Sequence, residues 1–152
     1  MTVVEFLDGT PVKNIISGWM LSPDRIIYVG GADMQAQVDR CRAFFESKKR
    51  HPEIVTRIIR ENKIDAATAV LAEIAETEEE CIFDLTGGDE VALVAMGMVY
   101  ERYRSQKKIE MHRFEIVSGK IHDIDNDGEL PKKEHESEIT VEDTIRLHGG
   151  TI

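Results

Sequence analysis

The sequence predicts an α/β protein with a Rossmann-like, mostly parallel sheet, helices on both faces and a terminal antiparallel β-hairpin. Short apolar runs rich in β-branched residues alternate four times with segments whose apolar residues recur at helical spacing. Turn sequences such as Asp-Gly, Gly-Gly and Thr-Gly-Gly follow three of these runs. Such alternation favours right-handed crossovers between parallel strands, and therefore a sheet covered by helices on both sides.

The first strand-to-helix unit opens the chain. An apolar run from Val3 to Leu7 is closed by Asp8-Gly9-Thr10-Pro11. Thr10 can cap a helix and Pro11 can occupy its first turn, so we expect a helix that continues through Asn14.

The second and third units follow the same pattern. A strand from Arg25 to Val29 ends at Gly30-Gly31, and a β-branched run from Ile54 to Ile59 comes after His51-Pro52. Helical faces follow these strands at Met34, Val38, Cys41 and Phe45, and at Ile64, Ala67, Thr68, Leu71, Ile74 and Ala75.

The fourth unit contains the most informative stretch of the chain. The apolar run that begins at Cys81 stops at Thr86-Gly87-Gly88 and leads through Asp89-Glu90 into a long apolar helix from Val91 to Tyr100. A glycine turn at a helix start can bring unpaired N–H groups close to an anionic ligand such as a phosphate. The residues beyond, 109–117 and 120–124, flank a Ser-Gly turn and predict the hairpin.

A ligand site is expected where the loops after the first and fourth strands meet. In open parallel sheets, ligands bind beyond the carboxyl ends of the strands, near the reversal of strand order. The alternative is purely structural, because the same sequences are also good turns and helix caps. The candidate ligand-binding residues are Asp8, Gly9, Thr10, Pro11, Asn14, Gly30, Gly31, Thr86, Gly87, Gly88, Asp89 and Glu90.

Composition limits the function and the compartment. The 152 residues carry a net charge of −10 with a pI near 5.0, which disfavours direct binding to duplex DNA or to an anionic membrane. There is no signal-peptide pattern and no apolar run of about 20 residues that could span a bilayer. The two cysteines fit a reduced core, so we expect a cytoplasmic location.

Several segments together resemble a known family, the CARF (CRISPR-associated Rossmann fold) domain at the front of Card-type nucleases. The Asp-Leu-Thr-Gly-Gly piece is the most specific of them. The segments are Val3-Val4-Glu5-Phe6-Leu7-Asp8-Gly9-Thr10-Pro11-Val12-Lys13-Asn14-Ile15-Ile16, Ile26-Ile27-Tyr28-Val29-Gly30, Phe83-Asp84-Leu85-Thr86-Gly87-Gly88 and Leu147-His148-Gly149.

The resemblance implies a homodimeric antiviral sensor of type III CRISPR systems that binds a cyclic oligoadenylate, most often cyclic tetra-adenylate. No cofactor is expected. The resemblance also implies a downstream nuclease domain that 152 residues cannot accommodate. We therefore expect a CARF-like domain at residues 1–125, and at 126–152 a polar linker and the start of a further region. In many members of the family, a small hydroxyl residue and a lysine come after the two glycines. In this sequence Asp89 and Glu90 occupy those positions, and their carboxylates would repel an adjacent phosphate.

Three alternatives to a cyclic oligoadenylate sensor stay open at the sequence level. The same pocket in a ring nuclease would cut its messenger slowly, assisted by Thr10, Thr86 or a nearby carboxylate. An unrelated nucleotide-binding or protein-interaction domain is the second. The third is calcium binding, because the segment from Asp123 to Glu134 has the spacing of an EF-hand loop. Since this segment follows a strand and contains a proline, a polar turn is favoured, and no metal site is predicted.

Overall fold

A computed structural model describes residues 1–115, 117–126, 128–129 and 139–151, with the backbone alone at 128–129. The predicted alternation of strands and helices is confirmed. The strands are Thr2–Phe6 (β1), Arg25–Gly30 (β2), Glu53–Ile58 (β3), Glu80–Asp84 (β4), Lys108–Glu115 (β5), Lys120–Asp123 (β6) and Gly128–Glu129 (β7). The helices are Lys13–Leu21 (α1), Gln35–Ser47 (α2), Ile64–Thr77 (α3), Glu90–Tyr103 (α4) and Val141–Leu147 (α5).

The strands form one sheet in the order β3-β2-β1-β4-β5-β6-β7. Strands β1 to β5 are parallel, whereas β5, β6 and β7 pair antiparallel, as the predicted terminal hairpin requires. Strands β2 and β3 add to one edge of β1, whereas β4 pairs with the other edge of β1, so the strand order reverses between β1 and β4. This reversal places the loops after β1 and β4 side by side at the carboxyl ends of the strands.

Two apolar cores cover the two faces of the sheet. One lies under α3 and α4, where Ala67, Leu71, Ile74 and Ala75 follow the spacing of a single buried helix face. The other lies under α1, α2 and α5, with Phe45, Trp19 and Tyr28 among its large side chains. Helices therefore lie on both faces, as predicted.

One local expectation from the sequence is wrong. Helix α1 begins at Lys13 without a side-chain cap, and Thr10 contributes only its carbonyl oxygen, which accepts from the N–H of Lys13 at 3.0 Å. Helix α4 is apolar along most of its length, but one of its faces is open to solvent, because Leu93, Val94 and Met98 are 40%, 48% and 54% exposed.

The described part of the predicted linker ends in a docked helix. Thr140 and Asp143 form a reciprocal capping box at the start of α5. Leu147 is buried in the core beside α2, and the Lys48 ammonium lies 2.8 Å from the Asp143 carboxylate. Within the described ranges, no helix has the length and apolar content needed to cross a bilayer.

Part of the segment with EF-hand spacing, namely Asp127, Leu130, Pro131 and Glu134, lies outside the described residues. Its first residue, Asp123, closes strand β6, and no helix precedes it. An EF-hand loop is entered from a helix, so the described part has a different local structure.

Candidate functional site

A cleft of about 500 Å³ opens at the carboxyl ends of β1, β2 and β3. It lies where ligand crevices occur in parallel sheets of this order. Its walls come from four loops and are formed by Phe6, Leu7, Asp8, Gly9, Gly30, Gly31, Ile59, Arg60, Asn62 and Asp89. Five of these residues, Asp8, Gly9, Gly30, Gly31 and Asp89, were candidates from the sequence.

Asp8 joins the two loops that the strand order predicted to meet. Its Oδ1 accepts from the N–H of Thr10 at 2.6 Å, and its Oδ2 accepts from the N–H of Gly88 at 3.1 Å. The convergence of the loops after β1 and β4 is thus confirmed. The N–H of Gly88 already has an internal anionic partner, so an incoming phosphate would have to displace Asp8 to use it.

Thr86 faces the interior of the sheet instead of the cleft. The carboxylate of Asp84 accepts from the Thr86 N–H at 3.0 Å and from its hydroxyl at 2.5 Å. The Thr86 hydroxyl oxygen in turn accepts from the Phe114 N–H at 2.8 Å. These contacts tie the Thr-Gly-Gly turn to β4 and β5 and leave the hydroxyl engaged.

Gly87 and Gly88 are required by packing behind the cleft. A Cβ at Gly87 would lie 3.0 Å from Asn14 Nδ2 and 3.1 Å from the Phe6 carbonyl oxygen. Gly88 adopts φ +95°, which L side chains rarely adopt, and a Cβ there would meet Ala92 and Phe6. The turn therefore positions the loops, and Gly87 and Gly88 are not among the residues that line the cleft.

Asn14 stabilises the loop after β1 from the interior of the protein. Its side chain is buried, its Nδ2 donates to the Phe6 carbonyl at 2.9 Å, and its Oδ1 accepts from Gln37 Nε2 at 2.8 Å. Gln37 also donates to the carbonyl oxygen of Asp8. Asn14 is thus placed to shape the cleft and not to line it. Thr10 and Pro11 are likewise not among the residues that form its walls.

Asp89 is the N-cap of α4. Its side chain accepts from the Ala92 N–H at 3.0 Å and from Asn62 Nδ2 at 2.8 Å. The bond from Ala92 is the main reason why the pKa of Asp89 lies below its usual range. Its charge is therefore partly balanced by the helix N-terminus. Glu90 is exposed in the first turn and does not line the cleft.

Five cleft residues were missed from the sequence: Phe6 and Leu7 at the end of β1, and Ile59, Arg60 and Asn62 after β3. The carboxyl-end rule that selected the other loops could also have selected the loop after β3. Arg60 places an exposed cation on the cleft wall, and Lys13 adds a second nearby, with its Nζ 3.9 Å from Asp8 Oδ2. The site thus combines cations with carboxylates that keep free lone pairs.

The whole described fold matches several solved structures. Can2 from Sulfobacillus thermosulfidooxidans in complex with cyclic tetra-adenylate superposes with a TM-score of 0.80 at 21% identity, over 97% of this chain and 41% of that chain. Protein VC1899 from Vibrio cholerae gives 0.78 at 18% identity, over 96% and 38%. A type III CRISPR defence DNA nuclease activated by cyclic oligoadenylate gives 0.71 at 13% identity, over 97% and 23%.

These comparisons establish the fold. The Rossmann-like architecture that the resemblance implied is shared with proteins whose ligands are cyclic oligoadenylates. The chain spans about two fifths of the length of the first two structures. No family model and no curated protein sequence matches it.

Proposed function

We propose that this chain is the cyclic oligoadenylate sensor domain of a type III CRISPR effector, with cyclic tetra-adenylate as the first ligand to test. The observation that carries the proposal is the cleft at the reversal of strand order, in a fold shared with cyclic tetra-adenylate-bound Can2. The sensor would regulate a nuclease region beyond this chain. The two free, buried cysteines suit a reducing compartment such as the cytoplasm.

The cleft offers complementary groups for each part of an adenylate ring. Arg60 and Lys13 supply positive charge for phosphates, and the guanidinium of Arg60 can contact two phosphate oxygens at once. Asp8 and Asp89 retain lone pairs that can accept from adenine amino groups or ribose hydroxyls. This assignment removes the conflict between acidic residues and phosphates, because each contacts a different part of the ligand.

A homodimer would complete the site through the exposed face of α4. Leu93, Val94 and Met98 are exposed, and a Cβ added to Gly97 between them would meet nothing within 4 Å. An apolar helix face in water is a feature of association surfaces. Because α4 begins directly after Asp89 on the cleft wall, a ring that spans two copies can favour one relative orientation of the subunits.

Ligand binding is tested by thermal-shift titration with cyclic tri-, tetra- and hexa-adenylate and a linear tetra-adenylate. A ring at 100 times its dissociation constant should add about 2.7 kcal/mol to the free energy of unfolding. Arg60→Gln should remove most of the shift. Lys63→Gln should not, because Lys63 is an exposed lysine of the same loop that pairs with Glu61 and does not line the cleft. No shift with any ring would reject the sensor.

The dimer is tested separately by sedimentation equilibrium. Met98→Glu places a charge in the exposed face of α4 and should shift the protein towards monomer, whereas Glu46→Lys, at an exposed position of α2 on the other face of the sheet, should leave the dimer in place. A wild-type protein that is monomeric both in the absence and in the presence of the ring would contradict this part of the proposal.

The sensor and the ring nuclease are distinguished by chromatography of the ring after long incubation with the protein. A sensor leaves the ring uncut, whereas a ring nuclease converts it to linear products.

A further inference from the structure

A row of ionisable and polar side chains crosses the sheet beside the cleft, on the face covered by α1. Strand register aligns Tyr28 of β2 with Glu5 of β1, Glu5 with Asp84 of β4, Asp84 with His112 of β5, and His112 with Asp123 of β6. All five side chains are buried. Aligned residues on neighbouring strands lie side by side, so the row is continuous.

The β5 and β6 end of the row has the donor set of a metal site. Glu110 and His112 are two residues apart on β5 and share a face, and Asp123 lies opposite His112. One ligand atom from each of the three lies within 4.8 Å of the others. The Nε2 of His112 is already 2.7 Å from a carboxylate oxygen of Glu110.

Three residues of this row have buried atoms without a hydrogen-bond partner, namely both carboxylate oxygens of Glu5, Asp84 Oδ2 and His112 Nδ1. Of these residues, Asp84 and His112 are adjacent in register. A buried polar atom without a partner destabilises the folded state, so a ligand that supplies the partner is favoured. Histidines that bind a metal through one nitrogen usually donate the other N–H to a carboxylate, which fixes the ring. Asp84 is placed to be that carboxylate, and its other oxygen is already held by Thr86.

We propose that Glu110, His112 and Asp123 bind a divalent transition metal ion, Zn²⁺ or Mn²⁺, with Asp84 orienting the imidazole of His112. An imidazole among the ligands favours such ions over Ca²⁺ and Mg²⁺, which prefer oxygen ligands alone. Asp123 is held in place by the N–H groups of Asp125 and Asn126. Glu110 is 38% exposed, which gives the ion a path from solvent.

The site would link the hairpin to the ligand loop. The ion would join β5 to β6, and Asp84 would connect it to the Thr86 turn, which lies behind the cleft. Bound metal is therefore expected to stabilise the folded state whether or not a cyclic oligoadenylate is present.

The test is calorimetric titration of chelator-treated protein with Zn²⁺ and, separately, Mn²⁺. We expect one ion per chain with at least one of the two metals. Glu110→Gln changes an exposed carboxylate to an amide and should weaken binding at least about tenfold. His122→Gln is the matched control, because His122 belongs to the same hairpin, aligns with Arg113 on the opposite face and pairs with Glu115.

Equal affinity in the wild type and in Glu110→Gln would overturn the proposal, since the ion would then lie elsewhere, for example on the acidic segment after Asp123. Loss of binding in His122→Gln would also overturn it, because the ion would then belong to the opposite face. So would the absence of one-to-one binding for both metals. Circular dichroism of each variant confirms that the compared proteins are folded.

Discussion

Replacement of Gly88 by alanine should destabilise the protein by about 2–5 kcal/mol. The φ of +95° at Gly88 is unfavourable for any residue with a Cβ, which costs about 1–2 kcal/mol. The added Cβ would also lie 3.0 Å from Ala92 Cβ and 3.1 Å from Phe6 Cβ. Both neighbours belong to the core, and overpacking of this kind costs about 1–3 kcal/mol.

Urea unfolding without ligand measures this cost directly, with Gly9→Ala as the matched control. A Cβ at Gly9 would meet nothing within 4 Å, and its φ is not positive, so its stability should stay within about 0.5 kcal/mol of the wild type. Gly88→Ala with wild-type stability would refute the reasoning, because it would mean that the turn adopts another conformation without penalty. If Gly9→Ala lost as much stability as Gly88→Ala, the loss could not be assigned to the backbone conformation and packing at Gly88, and the reasoning would fail.

Three further predictions concern the buried groups. Burial raises the pKa of Glu5 and the nearby Asp84 carboxylate raises it further, so the folded state keeps a proton that the unfolded state releases. The free energy of unfolding should therefore fall as the pH rises above the ordinary pKa of glutamate, by at most about 1.4 kcal/mol per pH unit from this group. Glu5→Gln should flatten that fall when urea unfolding is measured from pH 5 to 8. An unchanged slope in this variant would contradict the assignment to Glu5. Burial raises the pKa of the Cys41 and Cys81 thiols to about 12. A thiol reagent at pH 8 should therefore label the folded protein at least about a hundredfold more slowly than the protein in urea. Equally fast labelling would show that the thiols are accessible in the folded state. Leu147→Ala should lower the melting temperature and speed tryptic cleavage in α5, because the α5 face packed on α2 loses its buried anchor; cleavage at the wild-type rate would argue that α5 does not need it.

The order and type of the elements from β1 to β6 could be predicted from the sequence because those signals are local. The apolar run from Val3 to Leu7, the helical spacing after Ile64 and the Ser-Gly turn each act through neighbours within a few residues along the chain. The cap at Thr10 was predicted wrongly for a physical reason. The Asp8 carboxylate, held between the two loops, takes the Thr10 N–H and sets the path of the chain into α1.

The candidate site was predicted only at the level of loops. The rule for carboxyl ends selected the loops after β1 and β4, and the bond between Asp8 and Gly88 confirms that they meet. It did not show that Thr86 turns inward to Asp84, nor that Arg60 reaches the cleft. The Phe114 N–H of β5, which is distant in sequence, also donates to the Thr86 hydroxyl, so the direction of this side chain depends on the pairing of β4 with β5.

The sequence by itself determined the alternating architecture, the terminal hairpin and the glycine turn before α4, since propensity and periodicity act over short separations. The tertiary structure alone decided the strand register, which aligns Glu5, Asp84, His112 and Asp123 from four separate strands. It also decided that one face of α4 stays exposed, because an apolar helix is equally compatible with a core and with a partner surface. Both outcomes depend on contacts between distant parts of the chain, and no local pattern in a single sequence records them.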